Sequence, residues 1–342
     1  MIMARKAKYD WGKSRDGRYQ KFETRLAFDT DVTTSAQDSA YIDIAQCLSL
    51  INRKLVRQGH VFKVKNMQIH AADADGNDAV GITRVSVLPR TWMMFNAYKK
   101  ARSLWNQMNL EAVDSLGEGN LPKYYDFKVF FDREHFGNAH VATDDSTHGA
   151  IFENLLPVDG DMNAMSGGDW VYSKYETSAA TPLEMNIHML GGHSDSSGGL
   201  EGASGRDLPN DGGSIGAILA YQQSRGAAFT GQDLVGLDQN IDLDSPWAQL
   251  FAGDTQMQEV LTDLHGDNDG PPYPADYAGG LVHPEGNLVK SFAVNEENYV
   301  GSSVGTFEAP LGLIKFDFNT SGVSDALSNV RITCDTEIIG AC

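Results

Sequence analysis

A chain of 342 residues with 41% apolar side chains has room for two average domains or one large all-β domain with a real core. No run of about 18 apolar residues occurs, so no membrane-spanning helix is expected, and Met1 to Gln20 lacks the apolar stretch of a secretory leader. Cys47, Cys334 and Cys342 have no metal-ligand spacing, which argues against a disulfide framework and fits a reducing site of synthesis. The formal net charge of −19 is unevenly spread. Residues 1–135 carry 21 Lys and Arg against 16 Asp and Glu, whereas residues 136–342 carry 6 against 30. The basic end suits a polyanionic partner and the acidic part suits a water-facing, self-repelling surface.

The chain opens with a basic segment, residues 1–25. Arg5, Lys6, Lys8, Lys13, Arg15, Arg18, Lys21 and Arg25 stand against Asp10, Asp16 and Glu23, with Tyr9, Trp11, Tyr19 and Phe22 interleaved. Cations for phosphate and rings for stacking are what a nucleic-acid-contacting arm uses. The spacing then predicts a helix over 43–58, where Ile44, Cys47, Leu48, Ile51 and Leu55 form one apolar stripe. Asp38 or Ser39 is expected to cap it and Gly59 to end it. Arg53, Lys54 and Arg57 lie off the stripe and join the candidate nucleic-acid contacts. A second helix is expected from about Thr91 to Asn109, with Met94, Tyr98, Ala101, Trp105 and Met108 inward and Lys99, Lys100 and Arg102 outward.

Elsewhere the period is two. Phe62 and Val64 alternate with Lys63 and Lys65, and Phe127, Val129 and Phe131 alternate with Lys128. The same holds for 183–189, 314–318 and 331–334. Less regular strands are expected at 81–88, 151–157, 170–176 and 288–294. Widely separated short strands with 35 glycines argue for an antiparallel sandwich. Residues 191–286 interrupt it. This stretch is acidic and loop-rich, with Arg206 and Arg225 as its strong cations, and helices are expected within it at 214–225 and 246–264. It reads as a surface projection.

Candidate chemistry is sparse. His188, His193 and Asp195 sit where a strand gives way to a Gly-rich loop, and polar loop roles suit them better than the three well-placed ligands zinc needs. His135, His140, Asp144, Asp145 and His148 match no standard ligand spacing. Asp73, Asp75, Asn77 and Asp78 fail the calcium-loop pattern, since Gly76 is the fourth residue and Arg84 the twelfth, so a turn joining two strands is expected there. No Walker loop, nucleophile elbow, HExxH or dinucleotide fingerprint occurs, and no catalytic residue, resident metal or cofactor is expected. Carboxylates meeting between subunits leave room for a bridging divalent cation.

Three segments carry a resemblance. YIDIAQCLSLINRKLVRQG from Tyr41, VSVLPRTWMMFNAYKKARSLWNQMN from Val85 and PKYYDFKVFF from Pro122 resemble the N-terminal halves of capsid proteins of small circular single-stranded DNA viruses, especially those assembled from marine and other environmental samples. The resemblance covers residues 41–129. It implies a jelly-roll shell domain, icosahedral self-assembly into a virion and packaged single-stranded DNA. The arm here is less basic than the long Arg/Lys-rich arm of that family.

These readings combine into one expectation. The fold is all-β with inserted helices, an antiparallel jelly-roll β-sandwich. Residues 1–25 form the basic arm, 26–190 and 287–342 the shell domain, and 191–286 the surface insertion. The function is that of a major capsid protein, not an enzyme, whose partners are its own copies, nucleic acid and an unidentified host receptor, without membrane insertion. Two other classes compete: a metal-dependent β-sandwich hydrolase and a carbohydrate- or calcium-binding β-sandwich module.

Overall fold

A computed structural model describes residues 22–32, 38–73, 81–116, 124, 126–136, 154–159, 161, 163–167, 169–176, 184–196, 199–201, 212–224, 279–280, 284–294, 302–320 and 327–342. Eight strands form its framework: β1 (Arg25–Val32), β2 (Asp38–Asp43), β3 (His60–Asp73), β4 (Gly81–Val87), β9 (Asn287–Val294), β10 (Ser302–Pro310), β11 (Leu313–Thr320) and β12 (Leu327–Ala341). They make two four-stranded antiparallel sheets, ordered β1-β12-β3-β10 and β2-β11-β4-β9.

The pairing is nested. The first strand pairs the last, β2 pairs β11, β3 pairs β10 and β4 pairs β9. This is a long hairpin of four strand pairs rolled into a sandwich, closed by the additional contacts β3–β12 and β4–β11. The fold is therefore the jelly-roll sandwich that the strand pattern led us to expect. Its core draws on both sheets, with Leu26, Phe28, Phe62 and Ile332 from one against Ile42, Val85, Ile314 and Phe316 from the other.

Local pattern explains most of the framework and its irregularities. In β3, Phe62 and Val64 point inward, and Lys63 and Lys65 outward. Asn66 then adopts a left-handed backbone (φ 52°), and Met67 takes the next inward position. The register against β10 and β12 shifts nearby, as at a β-bulge. Outward cations on this sheet meet carboxylates across strands: Lys65 with Glu337 at 2.6 Å and Arg331 with Asp29 at 3.0 Å.

Helix α1 (Ile44–Asn52) connects β2 to β3 and is shorter than the stripe suggested. Asp43 caps it, accepting from the Ala45 and Gln46 amides, whereas Asp38 and Ser39 lie in β2. It ends because Arg53 turns left-handed (φ 49°), with Ser49 receiving the Lys54 and Val56 amides. Gly59 has another role: a Cβ there would stand 2.8 Å from the Tyr98 hydroxyl. β3 and β4 belong to different sheets, and the turn expected between them near Gly76 lies outside the described residues.

The described elements between β4 and β9 form a second layer. Helix α2 (Trp92–Leu116) runs beyond its expected end. Strands β5 (Phe130–Asp132), β6 (Lys174–Glu176), β7 (Glu184–Leu190) and β8 (Gly213–Gly216) form a small mixed sheet, with β5 and β8 parallel to β7. Residues 126–132 are buried without alternation, which is why β5 is shorter than the strand expected there. Residues 154–157, expected as part of a strand, instead run irregularly, with the Leu155 amide donating to the Tyr41 carbonyl. Of the stretch expected to project, 213–223 form β8 and helix α3 (Ala217–Gln223). They lie outside both four-stranded sheets but join β7 and α2 in a second core with Met94, Tyr98, Ile187 and Ile218. The helix expected at 246–264 lies outside the described residues.

Candidate functional site

The cations singled out from the sequence fall into two groups. Arg5, Lys6, Lys8, Lys13, Arg15 and Arg18 lie outside the described residues. Glu23 is held firmly just before β1. Asn52, the last residue of α1, accepts from the Glu23 amide at 2.8 Å through Oδ1 and donates to the Glu23 carbonyl at 2.9 Å through Nδ2. The Thr24 carbonyl then accepts the Thr336 amide, and β1 begins. Arg53 and Lys54 follow Asn52 directly and are exposed, with no carboxylate partner among the described residues. The Asn52–Glu23 contact thus sets the start of β1 beside Arg53 and Lys54, the second of the two basic groups.

Arg57 is different. Its guanidinium is 3.7 Å from Asp126, whose side chain is buried. Burial pushes the Asp126 carboxyl up, and Lys128, Arg57 and Arg102 pull it back. Part of the Arg57 charge is therefore committed inside the protein, and Arg102 of α2 lies on the same side.

A buried polar layer joins α1 to the second layer. Asp43 is fully buried and accepts from Ala45 and Gln46, from Gln58 Nε2 at 3.1 Å and from Trp170 Nε1 at 3.2 Å. Burial raises its pKa to about 7 against these four donors. Gln58 also donates to the Val129 carbonyl and accepts its amide. Next to it, His135 accepts the Phe131 amide at Nδ1, so the neutral ring carries its proton on Nε2 and donates to Asn154 Oδ1 at 2.8 Å. Asn154 passes the chain on to Gln46 at 2.7 Å. Burial lowers the His135 pKa to about 4. The ring stacks on Tyr41 at 4.2 Å and 6°.

Tyr41 and Lys315 lie side by side on the outer face of the β2–β11 pair, and Asp132 of β5 closes over them. Asp132 accepts from the Tyr41 hydroxyl at 2.8 Å, the Lys315 ammonium at 2.9 Å and the His135 amide at 2.8 Å. Lys315 also meets Glu134 at 2.5 Å and Asp317 at 3.5 Å. Burial works against both charges, but the cluster of opposite charge wins, holding Asp132 below and Lys315 above its usual range. Nothing in the spacing of 41, 132 and 315 announces this joint; only the rolled topology brings them together.

His188 and His193 each use both ring nitrogens on the protein. His188 Nδ1 accepts from Ser214 Oγ at 2.6 Å and Nε2 donates to the Gly192 carbonyl at 2.9 Å. His193 Nδ1 accepts the Gly216 amide and Nε2 donates to Gln223. Asp195 anchors its own loop by accepting the Gly199 amide at 2.8 Å. Their partners make them fasteners of β7, β8 and α3. No group of three metal-ligating side chains occurs among the described residues.

No protein-family model matches the chain, and no curated protein or solved structure does.

Proposed function

We propose that this protein is a capsid subunit that assembles into a closed shell around nucleic acid. The observation that carries the reading is a jelly-roll sandwich whose first strand is clasped through Glu23 to Asn52, beside the exposed Arg53 and Lys54. In the sequence, residues 1–21, rich in cations and aromatic rings, directly precede that clasp. A rigid sandwich tiles, and a tethered cationic arm neutralises packaged phosphate. The strong acidity of residues 136–342 suits the opposite surface, since about a screening length of salt does not remove repulsion at contact.

Neutralising Arg5, Lys6, Lys8, Lys13, Arg15 and Arg18 together tests the nucleic-acid half of this reading. Nucleic acid co-purifying with the protein should fall, and the slope of log affinity against log salt should drop by roughly 4 for a single strand. Unchanged nucleic-acid content and slope would remove the arm from that role.

A further inference from the structure

The contact between α2 and α3 leaves a surface pocket of about 280 Å³. Its existence follows from side-chain size. Ala97 and Ala101, one turn apart on α2, and Ala217 and Ala220 on α3 line it with methyl groups where larger residues would close the gap. Ile187 and Ile215, paired across the parallel strands β7 and β8, line it too. Met108 adds a deformable wall, and Leu104 is 47% exposed at the rim. One ammonium stands at this apolar slot. Lys100 Nζ is 2.5 Å from Ser224 Oγ and 6.0 Å from the Tyr221 ring centre, and no carboxylate among the described residues pairs with it.

We propose that this pocket binds a single-chain anionic amphiphile, an alkyl carboxylate of roughly eight to twelve carbons at about 30 Å³ per packed group. The chain lies along the alanines and isoleucines, and the carboxylate pairs with Lys100. Lys100 at the apolar mouth, which no described carboxylate pairs, selects an anionic head over a neutral or cationic one. This inference does not depend on shell assembly.

The full-length chain titrated calorimetrically with hexanoate, octanoate and decanoate, and with decanol and decyltrimethylammonium, tests it. Decanoate should bind saturably at one per chain, weakening roughly three- to fourfold per methylene removed. Decanol should bind roughly tenfold more weakly, and the cationic analogue not at all. Lys100→Gln should erase the advantage of decanoate over decanol, and Ala220→Leu, which fills the slot, should abolish binding. If Ala220→Leu fails to fold, the chain-length series and Lys100→Gln still decide. Absence of saturable binding, equal affinity for decanol, or decanoate binding unchanged by Lys100→Gln would each overturn the proposal. So would binding that emerges only on dilution, because a second copy of the chain would then be the occupant.

Discussion

Asn52 holds Glu23 by both main-chain groups, donating to its carbonyl and accepting from its amide across 29 positions of sequence. Two hydrogen bonds from one side chain fix both the position and the direction of the backbone at that point. Asn52 also closes α1 by donating to the Leu48 carbonyl at 3.0 Å.

Asn52→Leu should therefore cost about 1–3 kcal/mol, since it removes three partly buried hydrogen bonds and strands the Glu23 groups. It should also detach the chain before β1. Urea unfolding reads the first effect, and faster tryptic cleavage at Arg25 the second. A variant with wild-type stability and cleavage would show that the clasp does not set where the arm leaves.

The buried ionisable groups make stability depend on pH in a defined way. His135 and His188 have pKa values lowered to about 4 by burial, whereas an unfolded His titrates near 6.5. Their contribution is full above pH 6.5 and is lost as pH falls through 4. Asp43 has the opposite sign: with a folded pKa of about 7, its contribution is full below pH 3.8 and is lost as pH rises through 7. Between pH 4 and 6.5 the unfolded chain gains two protons from the histidines and the folded chain retains one on Asp43. The difference is one proton, so stability should fall by about 1 kcal/mol per pH unit on acidification. Above pH 6.5 the Asp43 contribution dominates and stability should decline again. Urea midpoints from pH 4.5 to 8 should peak near neutrality. Asp43→Asn retains a capping side chain and should abolish the alkaline decline. A decline of equal size in that variant would assign it to another group.

Lys315→Met removes the cation paired with Asp132 while keeping the aliphatic stem. Asp132 would remain buried with Glu134 and Asp317 nearby, and the loss should be about 3–5 kcal/mol. Since Asp132 bridges β5 to β2 and β11, the second layer should loosen from the sandwich first. Hydrogen exchange should rise at Phe130 to His135 more than in β3 and β12. Uniform loss of protection across the chain would contradict that localisation.

Much of the framework was legible because one sheet face is apolar and the other polar. Phe62 and Val64 against Lys63 and Lys65, or Phe316 and Phe318 against Lys315 and Asp317, can only be half-buried strands. β1, β2 and β10 escaped notice. The Leu26–Phe28 alternation in β1 is short, β2 buries both faces at Tyr41 and Ile42, and β10 opens with Ser, Val and Gly. The true end of α1 was hidden because the stripe continues to Leu55 while the backbone reverses at Arg53. At the candidate site, Arg53 and Lys54 could be named from helix spacing. Their nearness to the start of β1 could not, because it depends on Asn52 holding Glu23 across 29 residues. The Tyr41–Asp132–Lys315 joint was equally hidden, being a product of long-range topology.

Negative-stain electron microscopy of the expressed full-length chain tests the central claim most directly. The account predicts closed, uniform shells with nucleic acid inside, disrupted together with it at high salt. A homogeneous monomer or small oligomer at all salt concentrations and pH values, with no shells on any grid, would contradict it.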